Sequence, residues 1–221
     1  MTAFALKLIA IITMTIDHVG FLFFPESLTL RIIGRISFPI FAFLIAEGFI
    51  KTSSVKKYLG RLTIFALISQ IPFGYFESFG GNVGFHLNIL FTLALGVLIL
   101  ALVNETRKTF LKILIILGGA ALAHFGSFSY GAYGIFSILG SYLFLAKNRK
   151  QGVVALSVLP FLETVRLFLE KIFFLQFFAI LSLIPIYFYN GEHGARLSKW
   201  VFYCFYPLHM IILSVIFVVW F

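Results

Sequence analysis

Residues 4–24 read FALKLIAIITMTIDHVGFLFF, an almost unbroken apolar run that carries Asp17 and His18 side by side near its far end. Its length suits one crossing of a bilayer, which takes about 17–25 apolar residues as a helix. An ionisable residue inside such a span is costly to keep and marks a functional site by default. About twelve residues later a second apolar segment opens with Arg31 and Arg35, four apart and so on one helix face. These four residues are read as the centre of a reaction site, with the other spans around it supplying access.

Composition extends this reading to the whole chain. Of its 221 residues 61% are hydrophobic and 11% charged, with a mean hydropathy of +1.06. A soluble domain is roughly half apolar and about a quarter charged. The chain is therefore expected to be all-α, a polytopic transmembrane helical bundle forming one domain over residues 1–221. A membrane β-barrel would need short segments of strict alternation, and the apolar runs here are long and continuous. The first segment is too long for a signal peptide, lacks a small-residue cleavage site, and is kept as a span.

Nine spans are expected: Phe4–Phe24, Leu30–Ile50, Tyr58–Phe76, Phe85–Val103, Leu111–Phe125, Tyr130–Ala146, Gly152–Leu162, Ile172–Tyr189 and Trp200–Trp220, the fifth and seventh short for a full crossing. The formal net charge of +9 does not point to nucleic acid, because the basic residues sit in short loops. Lys51, Lys56, Lys57 and Arg61 follow the second span, Arg107, Lys108 and Lys112 the fourth, Lys147, Arg149 and Lys150 the sixth, and Arg196 and Lys199 the eighth. The odd loops carry Glu26, Glu77, no charge, and then Glu163 and Glu170 balanced by Arg166 and Lys171. By the positive-inside rule this sets the N-terminus and even loops in the cytoplasm and the C-terminus outside, in a cytoplasmic membrane. Anionic membrane lipid or a phosphorylated cosubstrate are further partners for the basic loops. Cys204 is the only cysteine, so no intrachain disulfide can form.

In that orientation Asp17 and His18 lie about 6 Å outward of the middle of their span and Arg35 about 7 Å outward of its own, at about 1.5 Å per residue. Adjacent residues on a helix do not face each other. Asp17 is thus expected to answer Arg35 or Arg31 rather than to orient His18, since an unpaired charge at this depth is costly. That leaves His18 facing a cavity, where an imidazole can take up and return a proton near pH 7. Arg31 also suits interfacial snorkelling, whereas the deeper Arg35 wants an anion or an oxyanion. Gln70, His86, Asn88, His124, Tyr130, Tyr133 and Gln176 fall in the outer half. Glu47 lies in the inner half, where it could pair with Lys51, and His209 near mid-depth with Tyr203 and Tyr206, on a thinner polar trail leading inward. Gly80-Gly81-Asn82 reads as a turn. Pro39, Pro72, Pro160, Pro185 and Pro207 sit at or inside spans, where they kink helices that line cavities. No metal-ligand spacing, nucleophile elbow or phosphate loop appears, and no metal is expected.

The blocks LKLIAIITMTIDHVGFLFFP, LRIIGRISFPIFAFLIAEGF, KKYLGRLTIFALISQIPF, LNILFTLALG, YGAYGIF and KWVFYCFYPLHMIIL carry a likeness to a known family. Through them the chain resembles the TraX family of integral membrane proteins, named for the conjugative F-pilin acetylase and related to wider membrane acyltransferases. The resemblance implies acetyl transfer from acetyl-coenzyme A within the membrane. In the related acyltransferases an early histidine is the acid–base group, and His18 is its counterpart. Arg31, Arg35 and Glu47 fall in the second shared block, and the blocks of Asn88, Tyr133 and His209 match as well. The expected scheme docks acetyl-coenzyme A phosphates at Lys51, Lys56, Lys57 and Arg61 and passes the thioester arm along Glu47 and His209. His18 then acts as base with Asp17 and Arg35, and Arg31, Asn88 and Tyr133 hold substrate. The acceptor arrives from outside, as a pilin N-terminus, a glycan or a lipid head group. A small-molecule transporter or channel would use the same buried charges, though paired interrupted helices in corresponding halves are not found.

Overall fold

The computed structural model describes residues 1–81, 84–169, 174–195 and 198–220, and these form a bundle of helices with no sheet among them. The helices are α1 (Ala3–Phe23), α2 (Leu28–Gly34), α3 (Ser37–Lys51), α4 (Val55–Phe79), α5 (Ile89–Glu105), α6 (Thr109–Phe125), α7 (Gly131–Ala146), α8 (Arg149–Leu169), α9 (Leu183–Tyr187) and α10 (Lys199–Trp220), with a 3-10 segment at Phe174–Ser182. α1, the α2–α3 pair, α4 and most of α10 are each long and apolar enough to cross a membrane; α5, α6 and α7 are apolar but shorter. Large apolar side chains such as Ile64, Leu67, Ile68 and Ile71 on α4 and Leu208, Ile212 and Val215 on α10 face outward. A soluble protein rarely shows such a surface; around a bundle in hydrocarbon it is the natural one. The chain is a membrane protein.

Three spans differ from the sequence expectation, each for a visible reason. The second is not one helix: it breaks at Arg35-Ile36 between α2 and α3. Pro39, third residue of α3, has no N–H to give, and its ring crowds the carbonyl four residues back, that of Arg35. The seventh runs on past Leu162 to Leu169. Glu163 and Arg166, which read as loop charges, pair across one turn at 2.6 Å and so continue the helix. The eighth is a 3-10 segment followed by a five-residue helix. Pro185 breaks the regular ladder there as Pro39 does in α3. Asn82, Glu170, Lys171, Ile172 and Arg196, which entered the sequence reading, lie outside the described residues.

The alternating loops gather at two ends. At one end the backbone of Ala3 and Phe4 donates to Glu192 and His193 (2.8 and 3.0 Å), and Asn190 donates to Met1 (3.0 Å). Lys51 Nζ reaches the Gly191 carbonyl at 2.9 Å, and Tyr142 donates to Asn104 at 2.7 Å. At the other end Leu87 and Phe128 form a short parallel bridge between the loops before α5 and α7. Ser127 and Tyr130 there adopt positive φ, 56° and 63°, unusual for residues other than glycine. The basic loops therefore share one end and the site's loops the other.

α1 packs on α2, α3 and α10; α4 packs on α5 and α10; α3 and α5 pack on α7. The main core is built from Met14, Phe38, Phe76, Leu90, Leu93, Tyr206 and Met210. It rings a cavity rather than filling it.

Candidate functional site

On α1, Ile11, Met14, His18 and Phe21 line this cavity, spaced three and four apart and so on one face. Asp17, one step round the helix, also borders it but turns its carboxylate to α2. Arg35 Nη2 donates to both carboxylate oxygens at 2.8 Å. Arg31 Nη1 lies 3.0 Å from Asp17 Oδ1 and donates to the Asp17 carbonyl at 3.1 Å. Arg35 Nε donates to the Arg31 carbonyl at 3.3 Å, tying the two arginines together. Two guanidiniums thus share the Asp17 carboxylate beside the cavity, whose lining also holds Glu77.

The close approach of α2 to α1 depends on Gly34. A Cβ there would sit 2.2–2.4 Å from Asp17 Oδ1, Cβ and Cγ. Gly34→Ala is therefore expected to push α2 off α1 and to cost about 1–3 kcal/mol, as overpacking does. Thermal unfolding in detergent checks this, and an unchanged transition would show that the contact is not needed.

His18 turns the other way. Its Nδ1 lies 2.7 Å from Nε2 of His209 on α10, and the two rings are nearly parallel, 4° apart. His209 Nδ1 in turn lies 2.9 Å from the Phe205 carbonyl oxygen. Phe76 packs on His18 and Phe205 stacks on His209, with ring centroids 4.9 and 5.0 Å apart.

The cavity has a volume of about 460 Å³, within the size range of small-molecule sites. Glu77, His86, Ser129 and Tyr130 line it on the side of the bridged loops. Tyr130 stacks on Phe38 at 3.9 Å. Toward the basic end the lining reaches Ile11, Phe41 and Phe202, and the Lys7 ammonium sits over the Phe202 ring at 4.9 Å. Among the described residues no group of three or more His, Cys, Asp or Glu could hold a metal ion.

The family model for TraX protein matches residues 3–217. The chain belongs to the TraX family. It is 33% identical to a probable fimbrial assembly protein FimC, serogroup H1, of Dichelobacter nodosus, in an alignment covering 96% of this chain and 94% of that protein. A shorter stretch of 66 residues is 42% identical to an uncharacterized protein of Rickettsia prowazekii (strain Madrid E), covering 30% of this chain and 25% of that one. No solved structure matches the chain.

Of the residues singled out in this TraX sequence, Asp17, His18, Arg31 and Arg35 come together at the cavity, with His209 directly behind His18. His86, Tyr130 and Tyr206, placed by depth alone in the sequence, line the cavity too, whereas the remaining residues of the expected scheme do not join them. Asn88 is fully buried: its Oδ1 caps α5 through Leu90 N–H at 3.0 Å, and its Nδ2 donates to the Ala66 carbonyl and Gln70 Oε1. Its amide is spent on structure. Tyr133 is buried against Phe38 and Tyr130. Glu47 lies at the basic end, where it accepts from Lys51 at 2.7 Å and from the Tyr189 hydroxyl, so the inward trail does not pass it. Lys51 is held in that cluster. Lys56 and Lys57 are exposed, and Arg61 lies over the Tyr58 ring. None of these four is part of the cavity wall. Glu77 and Ser129 are lining residues that sequence reading passed over as loop.

Proposed function

We propose that this TraX-family protein is a membrane-embedded acetyltransferase. It moves acetyl from cytoplasmic acetyl-coenzyme A to a hydroxyl or amine presented on the outer side of the cytoplasmic membrane. The observation that carries this is a histidine on the wall of a cavity, beside two arginines that share the Asp17 carboxylate. Acyl transfer needs both: a group to move a proton, and positive charge where an oxyanion develops. The N-terminus and basic loops face the cytoplasm and the C-terminus lies outside. The basic face of Lys51, Lys56, Lys57 and Arg61 takes the donor's phosphates. The thioester arm enters past Lys7 and Phe202 toward His18. A bare ring nitrogen of His18 takes the proton of the acceptor O–H or N–H. The nucleophile bonds to the thioester carbonyl carbon, the C–S bond breaks, and the leaving thiolate recovers the proton from His18. The name of the Dichelobacter nodosus relative favours a subunit of a surface appendage as acceptor, alongside glycans and lipid head groups.

Purified protein in lipid nanodiscs, supplied with acetyl-coenzyme A and an envelope extract, should release free coenzyme A and label an acceptor. Solute flux without turnover would overturn the proposal and make the cavity a transport site. Within this scheme, neutralising Lys56, Lys57 and Arg61 together is expected to raise the KM for acetyl-coenzyme A several-fold with a smaller change in kcat. The effect on the parent protein should mirror it at high salt. An unchanged KM would leave those residues as topology signals alone.

A further inference from the structure

We propose that His209 is a positioning residue that holds His18 in the tautomer with hydrogen on Nδ1 and a bare Nε2. The proposal rests on the assignment of His18 as the acid–base group. The Phe205 carbonyl oxygen can only accept, so His209 Nδ1, 2.9 Å away, carries a hydrogen. A neutral His209 then has a bare Nε2. That nitrogen lies 2.7 Å from His18 Nδ1, which must therefore be the donor. A neutral His18 that donates from Nδ1 keeps its lone pair on Nε2. His18 lines the cavity and His209 does not, so the partner sits behind the ring.

Neutral histidine in water carries its hydrogen mainly on Nε2, and the partner of the other nitrogen decides which tautomer a protein holds. In many hydrolases a carboxylate fills that place. Here the neighbouring carboxylate, Asp17, is taken by Arg31 and Arg35, and an imidazole from the last helix does the orienting. When His18 Nε2 gains the acceptor's proton, the imidazolium keeps its Nδ1–H on His209 Nε2 and so stays aimed at the cavity. Near-parallel rings, with Phe76 and Phe205 packed on them, leave neither imidazole free to swing.

The test is nitrogen NMR of protein labelled with ¹⁵N-histidine, in nanodiscs above neutral pH, with the His18 signals assigned by their absence in His18→Gln. The parent should show His18 protonated on Nδ1 and bare on Nε2. In His209→Phe the hydrogen should move to Nε2, and kcat should fall about ten- to a hundredfold, as when the partner orienting a metal-bound histidine is lost. The KM for acetyl-coenzyme A should hold. His209→Gln, whose amide oxygen reaches about as far as Nε2, should keep the Nδ1–H tautomer and recover most of kcat. A purely structural role would give no tautomer change and no rescue. A parent spectrum with His18 protonated on Nε2 overturns the proposal, even if His209→Phe does not fold. The expected tautomers together with full transfer by His18→Gln would sink the acid–base assignment instead and leave the positioning intact.

Discussion

His18→Gln is expected to lower acetyl transfer by about a hundred- to ten-thousand-fold, the worth of general acid–base assistance. Glutamine keeps polarity and much of the volume but cannot carry the proton. Because the glutamine amide can still donate to His209 Nε2 across the α1–α10 contact, the variant should express and unfold like the parent and still bind acetyl-coenzyme A. Isothermal binding of the donor and single-turnover transfer measure the two separately. Transfer near the parent rate, at parent expression, would remove His18 from the chemistry. Incubation of the parent with donor alone adds a second reading. Acetyl found on His18 by mass spectrometry, and then passed to acceptor, gives a covalent route; none gives direct attack with donor and acceptor both bound.

Asp17→Asn should fail differently. It leaves Arg31 and Arg35 facing each other inside the bundle, with no carboxylate between them. Removing one partner of a buried ion pair costs about 3–5 kcal/mol, mostly the stranded charge rather than the lost attraction. Low yield and a depressed unfolding transition are expected alongside lost activity. The double variant Asp17→Asn with Arg35→Met should recover part of the stability lost in Asp17→Asn, though not transfer, because one guanidinium rather than two is then left without the carboxylate. If Asp17→Asn folds as firmly as the parent and only turns over more slowly, the carboxylate acts on substrate and the ion-pair account is wrong.

The bundle and the ion pair were legible in the sequence because both follow from one-dimensional quantities. Hydropathy over about twenty residues marks spans, and residue counts place Asp17 and Arg35 at matching depths on consecutive segments. Where reading failed, the cause was local or lateral. Pro39 and Pro185 were noted as kinks, yet the break between α2 and α3 and the 3-10 segment required the positions of the carbonyls behind them. Glu163 and Arg166 read as loop because they are charged, although their spacing allows them to satisfy each other within a helix. Asn88 carries the plainest missed signal: an asparagine just before an apolar run is a helix cap first. Glu47 enters the expected scheme through the inward trail and its shared block, while its own spacing to Lys51 already supplies its partner. His209 reads as mid-depth, inward of His18, and stands 191 residues away from it, and depth says nothing about which helices touch.

The fit between Gly34 and Asp17 makes two positions behave as one inherited unit. Replacing aspartate with glutamate is ordinarily the mildest change a carboxylate can suffer. At position 17 the extra methylene would have to enter the space that a missing side chain at position 34 already lends to the shorter acid. Charge alone is thus not the currency of this site. A relative could lengthen the acid only by letting the short helix move outward, and that helix carries Arg31 and leads directly into Arg35. The reach of the carboxylate, the bareness of the backbone opposite and the setting of the guanidiniums must change together or not at all. A library that varies residue 17 alone samples almost only failures, whereas one that varies 17, 31, 34 and 35 jointly explores the alternatives the fold can hold.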